Sequence, residues 1–226
     1  MPDRLPWRRL SAEAVVVVGS ILLAFAIDAG WDRRQSGIEE REILGGLETE
    51  LAEGLSVVEE SRQATVEARG RLEYFLSATP SEIAVDSSWS ADQVYGPFMR
   101  QWHVPPPTGF LDATTGSAKL GVIGDASLRA ELALLRARHD HLKQMVALIG
   151  TMDAEAAALL GEFEGVSRAA VAPQLDVDRA TLVAMRGEAR VMGAATAKYN
   201  FLGGYLNILD SLRATMESTL ELVKLQ

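Results

Sequence analysis

Hydrophobic residues recur every seven positions along three long stretches of the chain, which is the spacing of one face of an α-helix. The stretches run from about residue 36 to 77, from 126 to about 170, and from 188 to 225. Each stretch carries two such rows, so three helices of this length can cover one another's apolar faces. The pattern predicts an all-α fold built on an antiparallel bundle of three long helices.

These rows are the predicted core of the bundle. In the first stretch they are Leu44, Leu51, Val58, Thr65 and Leu72, beside Leu47, Gly54, Ser61, Ala68 and Phe75. In the second they are Leu128, Leu135, Leu142, Ile149, Ala156 and Phe163, beside Leu132, His139, Val146, Asp153 and Leu160. In the third they are Ala195, Leu202, Leu209, Met216 and Val223, beside Met192, Tyr199, Leu206 and Leu220. His139 and Asp153 interrupt the pattern, and polar residues at such positions fix register or lie at the edge of a bundle.

Local signals divide the stretches from one another. Thr79-Pro80 predicts the end of the first helix, because proline disfavours helical geometry in the residue before it. Asp125 is a predicted N-cap of the second helix, and a short helix is expected to begin near Asp178 before the third. Gly45-Gly46 predicts a hinge in the first helix, since each glycine costs about 1 kcal/mol relative to alanine.

Residues 80–124 form an irregular insertion that is rich in aromatic residues and proline. It contains Trp89, Trp102 and a run of three prolines at 105–107. We expect short helices near Ala91–Met99 and Phe110–Ser117, because a loop of this length is functional or contains elements of its own. The aromatic residues can form a lid over the end of the bundle or a patch for a partner.

One segment near the start of the chain, Leu10–Ala29, is apolar on all sides. About 20 residues at roughly 1.5 Å each cover the apolar thickness of a bilayer. The pattern predicts a tail at 1–9, a transmembrane helix at 10–31 and a helical domain at 32–226. The predicted anchors at the membrane interface are the flanking aromatic and basic residues Trp7, Trp31, Arg8, Arg9, Arg33 and Arg34.

A cleavable signal peptide is the alternative interpretation of the same segment. Ala24-Phe25-Ala26 is an acceptable cleavage site after a basic start and a short apolar stretch. The apolar run continues beyond that site through Ile27, and this continuation favours an uncleaved anchor.

Charge and composition predict where the two ends lie. A short tail with three arginines usually stays inside the cell, so we expect a cytoplasmic N-terminus and a periplasmic domain on a bacterial inner membrane. The chain has no cysteine, so packing alone must hold that domain. The first 31 residues are balanced in charge, which leaves the whole net charge of −9 on the domain. This excludes nucleic acid as a natural partner and favours a basic protein.

Two segments resemble a known family. The run VGSILLAFAIDAGWDRRQ followed by an acidic helix resembles the start of a family of bacterial single-pass membrane proteins of unknown function. Thr108-x-Phe110, Gly116 and Ile123-x-Asp125-x-x-Leu128-Arg129 resemble its central segment, although the spacing from Gly116 to Ile123 is longer than in that pattern. The resemblance implies a membrane-anchored helical domain and implies no activity.

No motif predicts catalysis, a cofactor or a metal. The chain lacks a cysteine nucleophile, a Gly-x-Ser-x-Gly elbow and a Gly-x-Gly-x-x-Gly turn. His139-Asp140-His141 is the one cluster that invites a metal, but residues two apart on a helix point about 200° apart. His103 lies in a distant loop. We therefore expect no enzyme.

Two functions remain. The favoured one is an accessory or scaffold subunit that stabilises a larger membrane complex, with respiratory and photosynthetic assemblies as candidate hosts. Its predicted helix contacts are small residues at four-residue spacing, Ser20 with Ala24 and Ala26 with Gly30. Its partners would be integral membrane proteins and the lipid bilayer, and an open seam could instead pair with a second copy. The alternative is an extracytoplasmic sensor or ligand-binding module on the same anchor.

Overall fold

A computed structural model describes residues 7–85, 98, 104–163, 166 and 177–226, with side chains from Val16 onward in the first helix. This part of the chain is helical and contains no strand, which confirms the predicted all-α fold. The helices are α1 (Trp7–Ser77), α2 (Pro80–Val85), α3 (Gly109–Thr115), α4 (Ala126–Leu160), α5 (Arg179–Gly187) and α6 (Ala189–Lys224), with a 3₁₀ turn at Ala118–Gly121. α3 lies where the second short helix of the insertion is predicted, whereas the first, at 91–99, lies outside the described residues except for Phe98.

The longest element is α1, which is one continuous helix of 71 residues and therefore about 107 Å long. It joins the predicted transmembrane segment to the bundle without a break. α1 is helical through Gly45 and Gly46, so the hinge predicted there does not interrupt the helix. Gly46 serves packing instead, since a Cβ at this position would overlap the ring of Phe110.

Side-chain caps begin the helices where the sequence predicts them. Asp125 accepts hydrogen bonds from the backbone N–H groups of Ser127 and Leu128 at 2.6 and 2.9 Å. Asp178 accepts one from Thr181 N–H at 2.7 Å, at the start of α5. Thr79 and Glu82 form a capping box, in which Glu82 accepts from Thr79 N–H at 2.7 Å. These bonds satisfy backbone donors that a helix leaves free in its first turn.

α4 ends at Leu160, about ten residues before its predicted end. Glycine at position 161 lowers the helix propensity there. The next two N–H groups, of Glu162 and Phe163, bond to the carbonyls three residues earlier, which closes the helix with a tight turn.

Burial follows the predicted rows closely in α1, where all ten predicted positions are buried. In α6 the first row is buried as predicted, but the second row lies one residue earlier than predicted. Its members are Val191, Lys198, Tyr205, Leu212 and Thr219. This row includes Lys198 and Thr219. Because polar residues, and lysine above all, are unusual in a core, the apolar pattern of the sequence favours the neighbouring row that begins at Met192.

The directions of the three long helices follow from the contacts between them. α6 runs antiparallel to α1, because Arg62 pairs with Asp210 at 2.8 Å and Arg69 donates to the Tyr199 hydroxyl at 2.9 Å. α6 also runs antiparallel to α4, since Gln226 reaches Asp125 and Lys198 reaches Asp153.

It follows that α1 and α4 run parallel. Gly124 N–H, just before α4, bonds to Glu40 of α1 at 2.7 Å, and Leu160 at the end of α4 shares a core cluster with Leu72. A chain that alternated direction at each long helix would place α1 and α4 antiparallel. The insertion explains the difference, because its 45 residues are long enough to return the chain along the bundle.

Candidate functional site

The part of α1 that extends beyond the bundle is apolar and exposed. Every side chain from Val16 to Ser36 is exposed, and among the described side chains of α1 the first buried one is Ile43. Val16, Phe25 and Ile27 are 67%, 67% and 62% exposed. The described residues thus include a helical apolar surface that no other described part of the chain covers.

Among the residues with described side chains, no helical stretch is at once long enough and apolar enough to span a membrane. The predicted span at 10–31 includes residues 10–15, whose side chains lie outside this set.

The predicted interface anchors fall into two groups. Trp31 is 68% exposed, and Arg33 and Arg34 are exposed beside it. Trp7, Arg8 and Arg9 belong to the helical backbone of α1, but their side chains lie outside the described part.

The four predicted helix-contact residues do not share a face. At about 100° per residue, the pair Ser20 and Ala24 is centred about 120° away from the pair Ala26 and Gly30. The Ser20 hydroxyl is also satisfied within its own helix, because it donates to the Val16 carbonyl at 2.8 Å. Ser20 and Ala24 therefore belong to a different face of α1 from Ala26 and Gly30, and a helix contact at either pair stays a prediction.

A different set of small residues does share a face. Gly19, Ala26, Gly30 and Gly37 lie within about 40° of one another around α1. No atom lies within 4 Å of a Cβ built at Gly19, Gly30 or Gly37. Spacings of seven, four and seven residues are the signal in the sequence that identifies this set.

A charged pair lies inside the bundle between α4 and α6. Lys198 donates a hydrogen bond to Oδ1 of Asp153, and the two side chains are only 3% and 7% exposed. Burial raises the pKa of Asp153 and lowers that of Lys198, while the bond between them opposes both shifts. Oδ2 of Asp153 is buried without a hydrogen-bond partner. Sequence reasoning identified Asp153 as an interruption of the core but missed Lys198.

A cavity of about 220 Å³ adjoins this pair. Phe98, Met152, Leu159 and Ala194 supply apolar lining, and Lys198 and Glu155 supply polar groups. Glu155 and Ala197 are exposed, so the rim of the cavity reaches the surface.

The His139-Asp140-His141 cluster does not converge. His139 is buried and His141 is exposed, as expected for residues two apart on a helix. Burial, with the nearby Lys143, lowers the pKa of His139 to about 4, against the opposing effect of Asp112 and Asp140. Within the described residues, no three histidine, cysteine or acidic side chains are grouped so that they could hold a metal. His103 lies outside that part of the chain.

Carboxylates on α1 also act as caps for other elements. Glu50 accepts hydrogen bonds from the N–H groups of Phe110 and Leu111 at 2.7 and 2.9 Å, at the start of α3. Glu40 accepts from Gly124 N–H just before α4. Part of the acidic charge of α1 is therefore used inside the molecule.

Comparison of the chain with known protein families, with curated proteins and with solved structures finds no significant match. The resemblance to a family of single-pass membrane proteins stays a prediction, and the function has to be argued from the molecule itself.

Proposed function

We propose that this protein is a non-enzymatic, membrane-anchored accessory subunit that stabilises a larger membrane complex. The N-terminal part of α1 is its anchor in the bacterial inner membrane. The short tail lies in the cytoplasm, and the helical bundle lies on the periplasmic side. Respiratory and photosynthetic complexes are the candidate hosts.

The exposed apolar part of α1 is the observation that carries this proposal. From Val16 to Trp31 its large apolar side chains are at least half exposed, and the bundle covers none of them. An apolar patch of this size on a protein surface marks contact with a membrane or another protein. In a lipid environment these apolar side chains no longer contact water. The helix can also lie in the bilayer because it satisfies its own backbone hydrogen bonds.

Continuity of α1 supports an uncleaved anchor. The helix passes without a break through Ala24-Phe25-Ala26, the alternative cleavage site, and on into the bundle. Residues of one rigid helix would therefore hold the bundle at a set distance from the lipid.

The face of Gly19, Ala26, Gly30 and Gly37 is the part of the anchor best suited to another helix. Small residues allow two helix backbones to approach closely within a membrane, where packing drives association. Substitutions on this face therefore test whether it contacts the partner.

The test is to purify the full-length protein from membranes with a mild detergent and to measure its native mass and co-purifying proteins. We expect a species much heavier than a monomer or dimer, containing integral membrane proteins. The variant Ala26→Leu/Gly30→Leu should release these partners. Ser20→Leu/Ala24→Leu is the matched control, since it places two leucines at the same four-residue spacing on another face.

The outcomes separate the alternatives. A native mass of a monomer or dimer would contradict the accessory role, and a dimer would indicate a second copy as the partner. Equal loss of partners in both variants would contradict the proposed face. A mature protein that begins at Ile27, shown by intact mass, would replace the anchor with a cleaved signal peptide.

A further inference from the structure

The cavity between α4 and α6 opens to the surface at Glu155 and Ala197 and has a volume of about 220 Å³. An apolar cavity of roughly 150 Å³ is large enough for a benzene ring. The space here therefore fits one six-membered ring with a small substituent.

Polar groups at the cavity are buried and incompletely used. Lys198 lines the cavity, and its ammonium group has three donors, of which Asp153 Oδ1 accepts one. The second carboxylate oxygen of Asp153 is buried with no partner, but Asp153 is not among the residues that line the cavity. The lining therefore offers the Lys198 ammonium as a donor, and a hydroxyl group can accept a hydrogen bond from it.

The charge balance selects a neutral molecule. Lys198 and Asp153 already compensate each other, and burial of a further unpaired charge is costly. Glu155 at the rim would also repel an anion.

We propose that this cavity binds a small, neutral, mostly apolar molecule of about one aromatic ring that carries a hydroxyl group. Its ring lies against Met152, Leu159 and Phe98, and its hydroxyl group accepts a hydrogen bond from Lys198. The site belongs to the bundle and is independent of the anchor and of the accessory role.

The test uses full-length protein in lipid nanodiscs, labelled with ¹³C at the methionine methyl groups. Phenol is the probe, toluene is the probe of similar size without a hydroxyl group, and benzoate is the anionic one. We expect phenol to shift the Met152 methyl signal in a saturable way. Met216, buried in the other core cluster, is the internal control and should not move.

The affinity of each probe should depend on whether it accepts a hydrogen bond from Lys198. A hydrogen bond to a charged group predicts that phenol binds about tenfold or more tightly than toluene. Benzoate should bind more weakly than phenol. Equal binding of toluene, or tighter binding of benzoate, would overturn the proposal.

Two variants locate the site. Ala194→Leu fills the cavity and keeps the charged pair, so it should abolish the Met152 shift. Asp153→Leu/Lys198→Met removes both charges together, which avoids an unpaired buried charge, and should bring phenol down to the level of toluene. Any one of three results would overturn the proposal. They are a phenol shift that survives Ala194→Leu, tighter binding of phenol than of toluene that survives the double variant, and the absence of a saturable shift in the wild type.

Discussion

Gly45 and Gly46 are adjacent in α1 but have different surroundings. A Cβ at Gly45 meets no atom within 4 Å, whereas one at Gly46 would overlap the Phe110 ring. A side chain at position 46 therefore needs the Phe110 ring to move, whereas one at position 45 meets open space. Two substitutions of the same kind can separate these roles.

Gly45→Ala should stabilise the protein by about 1 kcal/mol, because alanine favours an uninterrupted helix. Gly46→Ala should lose that gain, since the Phe110 ring must move. The measurement is the free energy of unfolding in urea for both variants in detergent. In a Phe110→Ala background, Gly46→Ala should recover the gain. Equal effects of the two alanines in the wild-type background would contradict the packing role of Gly46.

His139 makes stability depend on pH. Its pKa is lowered to about 4 in the folded protein, against the usual 6.5. Between these pH values the unfolded chain binds a proton that the folded chain does not. Stability is therefore lost as the pH falls from 6.5 to 4, by up to about 3 kcal/mol.

The check is urea unfolding at pH 7.0 and pH 4.5 for the wild type and His139→Leu. The variant should show a smaller loss of stability on acidification than the wild type. His141→Gln, at an exposed position two residues later, is the matched control and should behave as the wild type does. An identical pH dependence in His139→Leu would show that this histidine does not titrate as inferred.

At the scale of elements, the buried pair links α4 to α6. Removing one member leaves the other charged and buried, so Lys198→Met or Asp153→Leu alone should cost about 3–5 kcal/mol. The double variant should recover most of this loss or exceed the wild type in stability. These values come from urea unfolding followed by circular dichroism.

Asp210→Ala is the comparison for that pair. It breaks the bond to Arg62, whose side chain is 35% exposed, so we expect little change in stability. Single and double variants of Asp153 and Lys198 that are equally unstable would show that the pair itself stabilises the bundle.

At the scale of the whole molecule, the proposed topology predicts that the bundle lies in the periplasm and the tail in the cytoplasm. Because the chain has no cysteine, single introduced cysteines can test this prediction. A single cysteine can be introduced without interference, at exposed Asp210 of α6 or at Asp3 of the tail. In cells with a permeable outer membrane, a maleimide that cannot cross the inner membrane should label Asp210→Cys only. Asp3→Cys should react only after lysis. The reverse pattern would place the bundle in the cytoplasm.

Much of the local structure could be read directly from the sequence. The rows of α1, from Leu44 to Phe75, are all buried, because a helix brings residues three and four apart onto one face whatever it packs against. Asp125 caps α4 as predicted, and α5 begins next to Asp178 as predicted, because capping uses groups within a few residues.

The tertiary structure decided what depends on distant residues. Lys198 lies in the core only because Asp153 of another helix compensates its charge, and Gly46 is needed only because Phe110 approaches it. The parallel course of α1 and α4 depends on where the insertion returns the chain, which periodicity does not encode. The apolar run from Leu10 and the spacing of Gly19, Ala26, Gly30 and Gly37 are evident in the sequence alone, but the tertiary structure decided that no described part of the bundle packs against them.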